Sequence, residues 1–427
     1  MKRAWFTAVV GLTAAMLLVP VASLFAGGQA ERSAPKSITV GGEAGGPYIE
    51  FFKKLAKERF TPKTGIQVNW IEVPHAEMHQ KFLTEAASRD GAIDVFDADQ
   101  PWVPQFAAAG YLLDLDKYLT TDDLSDFSKT ALDTMSYEGK VFALPYFVHD
   151  CVLYYRKDLL KQAGITSLPT TWDQYVSDAK KLTANGVWGT IVEGKQDGAA
   201  SAKFLDVVYQ AGGSVFNSEG KVTIGKPWLQ ALEFYRDLVY KYKVAPPGAP
   251  TFDNADTETL FAQGKLAMAA GWPYMYSMFQ DPKTSKVVGE VGIGEQPGLA
   301  KQTAAVFGWG FGINSSSKAP DTAVKFLKWA TDTNSIYDLA KTFINPAVRE
   351  SALAKLRADT TMTASDREAI AAMTKDVRDG RTIPMVPQWP QIDARIQWAI
   401  SAVTSRQVTP EQAVSQLQAD ITRIMKQ

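Results

Sequence analysis

The chain has 427 residues, 46% of them hydrophobic and 21% charged, with 45 Lys plus Arg against 46 Asp plus Glu. That length exceeds one ordinary core and suggests two or more lobes, and the composition is that of a soluble globular protein. A net charge of −1 leaves no basic excess to neutralise a phosphate backbone, so nucleic acid is not expected as the main partner.

Met1-Lys2-Arg3 precede an uncharged stretch from Ala4 to Ala26, the order of n-region and h-region in a secretory signal peptide. The stretch is just long enough to span a bilayer, but Pro20 interrupts it and Ala26-Gly27-Gly28 offers small residues for cleavage. Residues 1–26 are therefore read as a signal peptide removed on export. Cys151 is the only cysteine, so no intramolecular disulfide can form despite an oxidising compartment. Leu24-Phe25-Ala26-Gly27 looks like a lipoprotein box with Gly in place of the lipid-bearing Cys. The mature protein is expected to be soluble and periplasmic.

Ile38-Thr39-Val40 is a short β-type run, followed by the loop Gly41-Gly42-Glu43-Ala44-Gly45-Gly46-Pro47 and by an apolar helical face at Phe51, Phe52, Leu55 and Phe60. Residues 68–73 alternate as a strand does, Met78, Phe82, Leu83 and Ala86 suit another helix, and Ile93-Asp94-Val95-Phe96 reads as a third strand. Strand, helix, strand, helix, strand implies a parallel sheet with helices on its faces, hence an α/β fold. Ligands of such sheets sit beyond the carboxyl ends of the strands, where the loops at 43–48 and 97–102 fall. A second unit begins near Val141, with β-rich runs at 141–144 and 152–155 and helices at 172–182 and 202–211. Val306 to Ile313 alternates Phe307, Trp309 and Phe311 with Gly308, Gly310 and Gly312. From Asp321 onward the pattern is helical, broken by the Pro-rich stretch at 383–390.

Tyr137-Glu138-Gly139-Lys140 through Ala143-Leu144-Pro145-Tyr146, Leu153-Tyr154-Tyr155-Arg156-Lys157-Asp158, Thr171-Trp172-Asp173-Gln174-Tyr175, Ala211-Gly212-Gly213 and Phe261-Ala262-Gln263-Gly264-Lys265 occur in that order. Together they resemble the extracellular solute-binding proteins of sugar ABC transporters, the family that includes maltose- and trehalose-binding proteins. The resemblance implies the periplasmic-binding-protein type II fold: two discontinuous α/β lobes joined by a hinge, with the ligand held between them. By similarity one lobe takes residues 36–147 plus 297–336 and the other 148–296 plus 337–427. It further implies a monomer that needs no cofactor and docks on ABC transporter permease subunits.

A sugar offers hydroxyl pairs and weakly polar C–H faces, so its site needs carboxylates, Arg or amides together with aromatic rings. Trp70, Trp172, Trp329 and Trp398 lie in periodic segments and are assigned to packing. Trp272, followed by Pro273-Tyr274, and Trp309, between glycines, match family positions that face the sugar; Trp389 in the Pro-rich stretch and Trp188 before Gly189 are further aromatic candidates. Asp99 matches the family's sugar-binding acid shortly before a Trp, here Trp102. Glu43 lies in the first Gly-rich loop, and Arg381 matches a family Arg whose fork of donors binds hydroxyls. Relatives often carry an acid where this chain has His149-Asp150, and which of the two faces the cleft is open.

A secreted enzyme is the rival from another class. His75 and His79 share a helix face at a zinc-binding spacing, but Ala76 stands where a metalloprotease needs Glu, and neither a phosphate loop nor a Gly-x-Ser-x-Gly elbow occurs. Paired carboxylates for glycoside hydrolysis stay open, their separation being a three-dimensional quantity. Within the same fold, polyols and glycerol phosphates are alternative ligands. A phosphate wants converging cationic or N–H donors, whereas these candidates mix acids with aromatics. The expected ligand is a neutral di- or oligosaccharide.

Overall fold

The computed structural model describes residues 36–426, so the expected signal peptide, residues 1–26, lies outside them. Apolar residues in Ser37–Glu43 form β1, the centre of a parallel trio. It pairs with β2 (Gln67–Val73) on one side and β3 (Val95–Asp99) on the other. The crossovers are helical. Pro47–Leu55 buries Ile49, Phe52 and Leu55, starting at a proline whose missing N–H costs nothing in the first turn. His75–Ser88 buries Met78, Phe82 and Ala86, the stripe expected from spacing. The trio therefore presents the carboxyl ends of three strands, at Glu43, Val73 and Asp99, on one edge.

The rest of this sheet departs from the parallel expectation. A tight hairpin, β4 (Ser136–Tyr137) to β5 (Lys140–Val141), turns through Glu138 and Gly139, both at positive φ as a two-residue turn requires. It leads into β6 (Ala143–His149), fully buried. A second sheet then intervenes: β7 (Val152–Arg156) lies between β8 (Met268–Gly271) and β9 (Val291–Gly294), antiparallel to both. Only then does the chain return as β10 (Ala305–Ile313), which enters the first sheet antiparallel to β3 and to β6. β11 (Arg381–Thr382) pairs with the first two residues of β10. The first sheet is thus mixed, because β10 arrives from the other sheet and not through a helical crossover. The chain passes between sheets at Asp150-Cys151 and again between Gly294 and Ala305.

Helices clothe both sheets. Trp172–Leu182 opens with a Thr171/Gln174 capping box, and Trp172 stacks on Phe234 at 4.2 Å, the packing role assigned to it. Gly198–Gln210 is buried along most of its length, with Trp389–Thr404 and Lys226–Tyr240 packed on it. Thr333–Phe343 contains Tyr337, so no crossing between sheets occurs at 336–337. This helix lies against the first sheet's side, with Phe343 4.8 Å from Tyr48 and Asp338 paired with Arg59 at 2.5 Å.

The glycines of β10 answer to close packing. A Cβ on Gly308 would sit 2.3 Å from the Thr134 hydroxyl, and one on Gly310 would sit 2.7 Å from the Leu144 carbonyl and 2.8 Å from Met135 Sδ. The alternation seen in sequence thus separates a face that holds bulky rings from one pressed against backbone. Gly310→Ala is expected to cost about 1–3 kcal/mol through overpacking, read as a lower urea midpoint at unchanged slope.

Candidate ligand-binding cleft

Glu43 and Asp99 end β1 and β3, and both are half-buried. Strand alternation puts Asp97 on the same face as Asp99. Asp97 is buried, where its carboxylate accepts the Tyr146 hydroxyl at 2.9 Å and the backbone N–H of Glu43. Trp309 is the register partner of Asp99, and its ring lies 6.0 Å from Trp102 and 5.8 Å from His75. His75 and His79 do share a helix face, but what lies against it is the Trp102 indole, at 6.4 and 5.5 Å. His79 also pairs with Gln105 at 2.7 Å. Among the described residues no group of three His, Cys, Asp or Glu is placed to hold a metal.

The second sheet supplies the opposite side. Trp272 follows β8 directly, and the Tyr154 hydroxyl holds this turn by donating to the Trp272 and Pro273 carbonyls at 2.8 and 3.0 Å. The indole lies 4.7 Å from the His149 ring and 5.9 Å from Phe307, with Lys203 Nζ 5.9 Å from its centre. Tyr274 donates to Glu258 at 2.6 Å and accepts from Asn254 at 2.9 Å. Its ring meets Tyr48 of the first side edge-on at 6.4 Å. Asp393, on the Trp389–Thr404 helix, accepts from Ser201 at 2.5 Å and Gln397 at 2.7 Å. Lys203 forms a buried salt bridge with Glu193 and donates to Asn254 at 2.9 Å.

The carboxylates sense one another across the gap. Burial holds Glu43 above its usual range, with His75 opposing and Glu258 reinforcing the shift. Burial lifts Asp99 well above the carboxylate range, with Asp97, Asp393 and Glu43 adding to it. Burial pushes Asp393 up to about 6 and raises Glu258. Groups from both sheets therefore share one poorly solvated space.

His149 is the residue of its pair that joins this cluster, packed among Phe147, Trp272 and Phe307. Burial drives its pKa down to about 3, so the imidazole is neutral, and its Nε2 has no hydrogen-bond partner. Asp150 instead lies with buried Asp206 and half-buried Asp376 and Glu295 at the passage between sheets, and burial raises its pKa well above the carboxylate range. Asp206 ties the two passages together: it accepts from Gln296 at 2.8 Å and from the Ala305 N–H at 2.7 Å, while Gln296 also donates to the Cys151 carbonyl at 2.7 Å.

Three candidates stand elsewhere. The Trp188 backbone bridges Lys265 and Ala267 at the entrance to β8, a position that serves the second sheet's edge. Arg381 is exposed, donates to the Gly213 carbonyl at 3.0 Å and lies 4.7 Å over the Tyr209 ring; its contacts are not with the carboxylates. Trp389 is 1% exposed, packed in the main core at the start of its helix, so its ring offers no open face. The structure adds Tyr48, His75, Trp102, Lys203, Glu258 and Asp393. Asp97 and Asp99 could have been paired from their two-residue spacing, but Glu258 and Asp393 lie in ordinary helical pattern and carried no signal.

Two α/β units sharing chain passages, with carboxylates and aromatic rings meeting between them, define a protein that encloses a small polar solute. Residues 45–334 match the family described as bacterial extracellular solute-binding protein, and the chain belongs to that family. A probable amino-acid ABC transporter periplasmic-binding protein of Sinorhizobium fredii is 26% identical over 86% of this chain and 84% of its own. A maltose-bound T. maritima MalE3 structure is 27% identical, with a TM-score of 0.84 over 91% of this chain and 99% of that one. A solute-binding protein from Agrobacterium radiobacter K84 in complex with ribitol is also 27% identical, with a TM-score of 0.79 over 91% and 98%.

The Asp206 clamp has a measurable signature. Burial raises its pKa from 3.8 to about 7, so the folded state holds an extra proton between those values. The associated stability is present below about pH 4 and is lost as pH rises through about 7. Asp206→Asn keeps one acceptor and leaves Ala305 or Gln296 unpaired, a loss of about 1–3 kcal/mol. Urea unfolding should find that deficit at about pH 5 and a smaller one at about pH 8, where the wild type bears a buried charge. A deficit independent of pH would mean that Asp206 does not titrate in the fold.

Proposed function

We propose that this chain is the substrate-binding component of an ABC importer, capturing a neutral carbohydrate or sugar alcohol in the cleft between its two sheets and delivering it to membrane permease subunits. The single observation that carries the reading is the meeting of Glu43, Asp99 and Trp309 from the first sheet with Trp272, Tyr274, Glu258 and Asp393 from the second. Carboxylates accept hydroxyl protons and aromatic faces cover C–H surfaces, the pairing a sugar requires. The maltose and ribitol held by two similar structures support this ligand class. With Trp389 buried and Trp188 apart, Trp272 and Trp309 remain as stacking rings, enough for one or two sugar units or a polyol.

On this reading the protein is exported through residues 1–26, acts in the periplasm as a monomer and performs no catalysis. Each lobe forms around one sheet, and the passages at 150–151 and 295–304 are the hinge. Ligand held by one lobe recruits the other because closure adds contacts that the open state lacks. An amino acid, suggested by the name of the Sinorhizobium relative, is the second reading; its carboxylate would enter a space already crowded with carboxylates.

A thermal-shift screen against mono- and disaccharides, pentitols, hexitols and amino acids tests this directly, since a ligand of the native state raises the melting temperature. A shift with one carbohydrate or polyol group, recovered unhydrolysed, is the expected outcome; a shift only with amino acids, or product formation, would refute it. Calorimetry with the best ligand should find Asp99→Asn and Trp272→Ala each weaker by about ten-fold or more, the loss of one charged hydrogen bond or one stacked ring.

A further inference from the structure

A ring nitrogen buried without a hydrogen-bond partner opposes folding, so such atoms are few in native structures and each calls for a reason. Nε2 of His149 is one of them. The residue ends β6, in register with Phe307 of β10, and is more than nine-tenths buried. Its ring packs on Phe147 at 4.8 Å and Phe307 at 6.3 Å from the first sheet, and on Trp272 at 4.7 Å from the second. None of these rings pairs with Nε2. Lys203, whose Nζ lies 5.9 Å from the centre of Trp272, gives N–H groups to Glu193 and Asn254 instead. His79 shows the ordinary solution, since its ring nitrogen meets the Gln105 side chain at 2.7 Å. The unpaired atom of His149 therefore lies where the two sheets meet, beside one of the two rings left for stacking.

The chemistry of the site narrows what can answer it. Burial drives the His149 pKa down to about 3, so the imidazole is neutral, with one nitrogen that donates and one that accepts. A hydroxyl both donates and accepts, and so meets Nε2 in either tautomer. A carboxylate only accepts and an ammonium only donates. Either charged group would also have to shed its water among three aromatic rings, a far greater cost than for a hydroxyl.

Resting on the carbohydrate-receptor reading, we propose that His149 is a specificity-determining residue, its Nε2 pairing with one hydroxyl of the sugar or polyol that stacks on Trp272. A ligand with that hydroxyl satisfies the buried nitrogen. An analogue without it leaves the nitrogen unpaired and is rejected.

Calorimetry with D-glucose, maltose, ribitol and D-glucitol, each beside its monodeoxy forms, tests this on wild type and on His149→Phe, His149→Leu and His149→Gln. For the probe that wild type binds best, one monodeoxy form should bind about ten-fold or more weakly, as for a hydrogen bond lost to a buried partner. Both apolar variants should bind the parent probe about as weakly as wild type binds that form, and should no longer distinguish the two. His149→Gln, whose amide can both donate and accept, should restore most of the discrimination. A packing role alone would weaken parent and monodeoxy forms alike. Melting curves check that the variants stay folded, and without ligand at least one apolar variant should melt no lower than wild type, because carbon replaces an unpaired nitrogen. Unchanged affinity in both apolar variants, or equal losses for the parent and every monodeoxy form, would overturn the assignment and leave the carbohydrate receptor standing. Binding of none of the four parent probes by wild type would overturn both readings.

Discussion

Asp206 is the point on which the two halves of this molecule turn. The chain leaves the first sheet after His149 and returns to it at Ala305, and a single buried carboxylate accepts hydrogen bonds from the returning segment at Gln296 and Ala305. Gln296 in turn reaches the outgoing segment at the Cys151 carbonyl. A buried carboxyl is costly unless hydrogen-bonded, and this one is, so the two passages are held side by side. Everything that faces the cleft depends on that register. It sets His149 against Trp272, and with them the second sheet against the ends of β1 and β3.

The cleft gathers acids from both sheets in one poorly solvated space. Buried acids are normally paired with cations or satisfied by donors, as Asp97 is by the Tyr146 hydroxyl and Glu193 is by Lys203. Between the lobes Glu258 and Asp393 are held by neighbouring donors, while Glu43 and Asp99 have no ion-pair partner among the described residues. Acids with raised pKa values gathered beside aromatic rings mark a candidate binding site. The two similar structures that hold maltose and ribitol span a wide range of ligand size. A shared fold therefore sets where a solute is held, while the side chains that reach the cleft set which one.

Much of this was readable in one dimension. The 3.6 and 2.0 periodicities located the first three strands, the two crossover helices and the alternating β10, because each is decided by residues adjacent in the chain. Glu43, Asp99, Trp272, Tyr274 and Trp309 were named as candidates from loop position and ordered resemblance, and the structure brings them near one another. Trp389 and Arg381 lie apart from that group for a physical reason: local composition reports that a segment is irregular, not whether its side chains turn inward to a core or outward to Tyr209.

The sequence by itself determined the family, the α/β layering and the aromatic-and-acid chemistry of the binding edge, since these follow from short-range pattern and from motifs kept in order. Only the tertiary structure decided that β10 runs antiparallel, that His149 and not Asp150 packs on Trp272, and that Glu258 and Asp393 come near Glu43 and Asp99. Those outcomes depend on contacts between residues far apart in the chain, where burial and the count of donors against acceptors are set by packing that no local window contains.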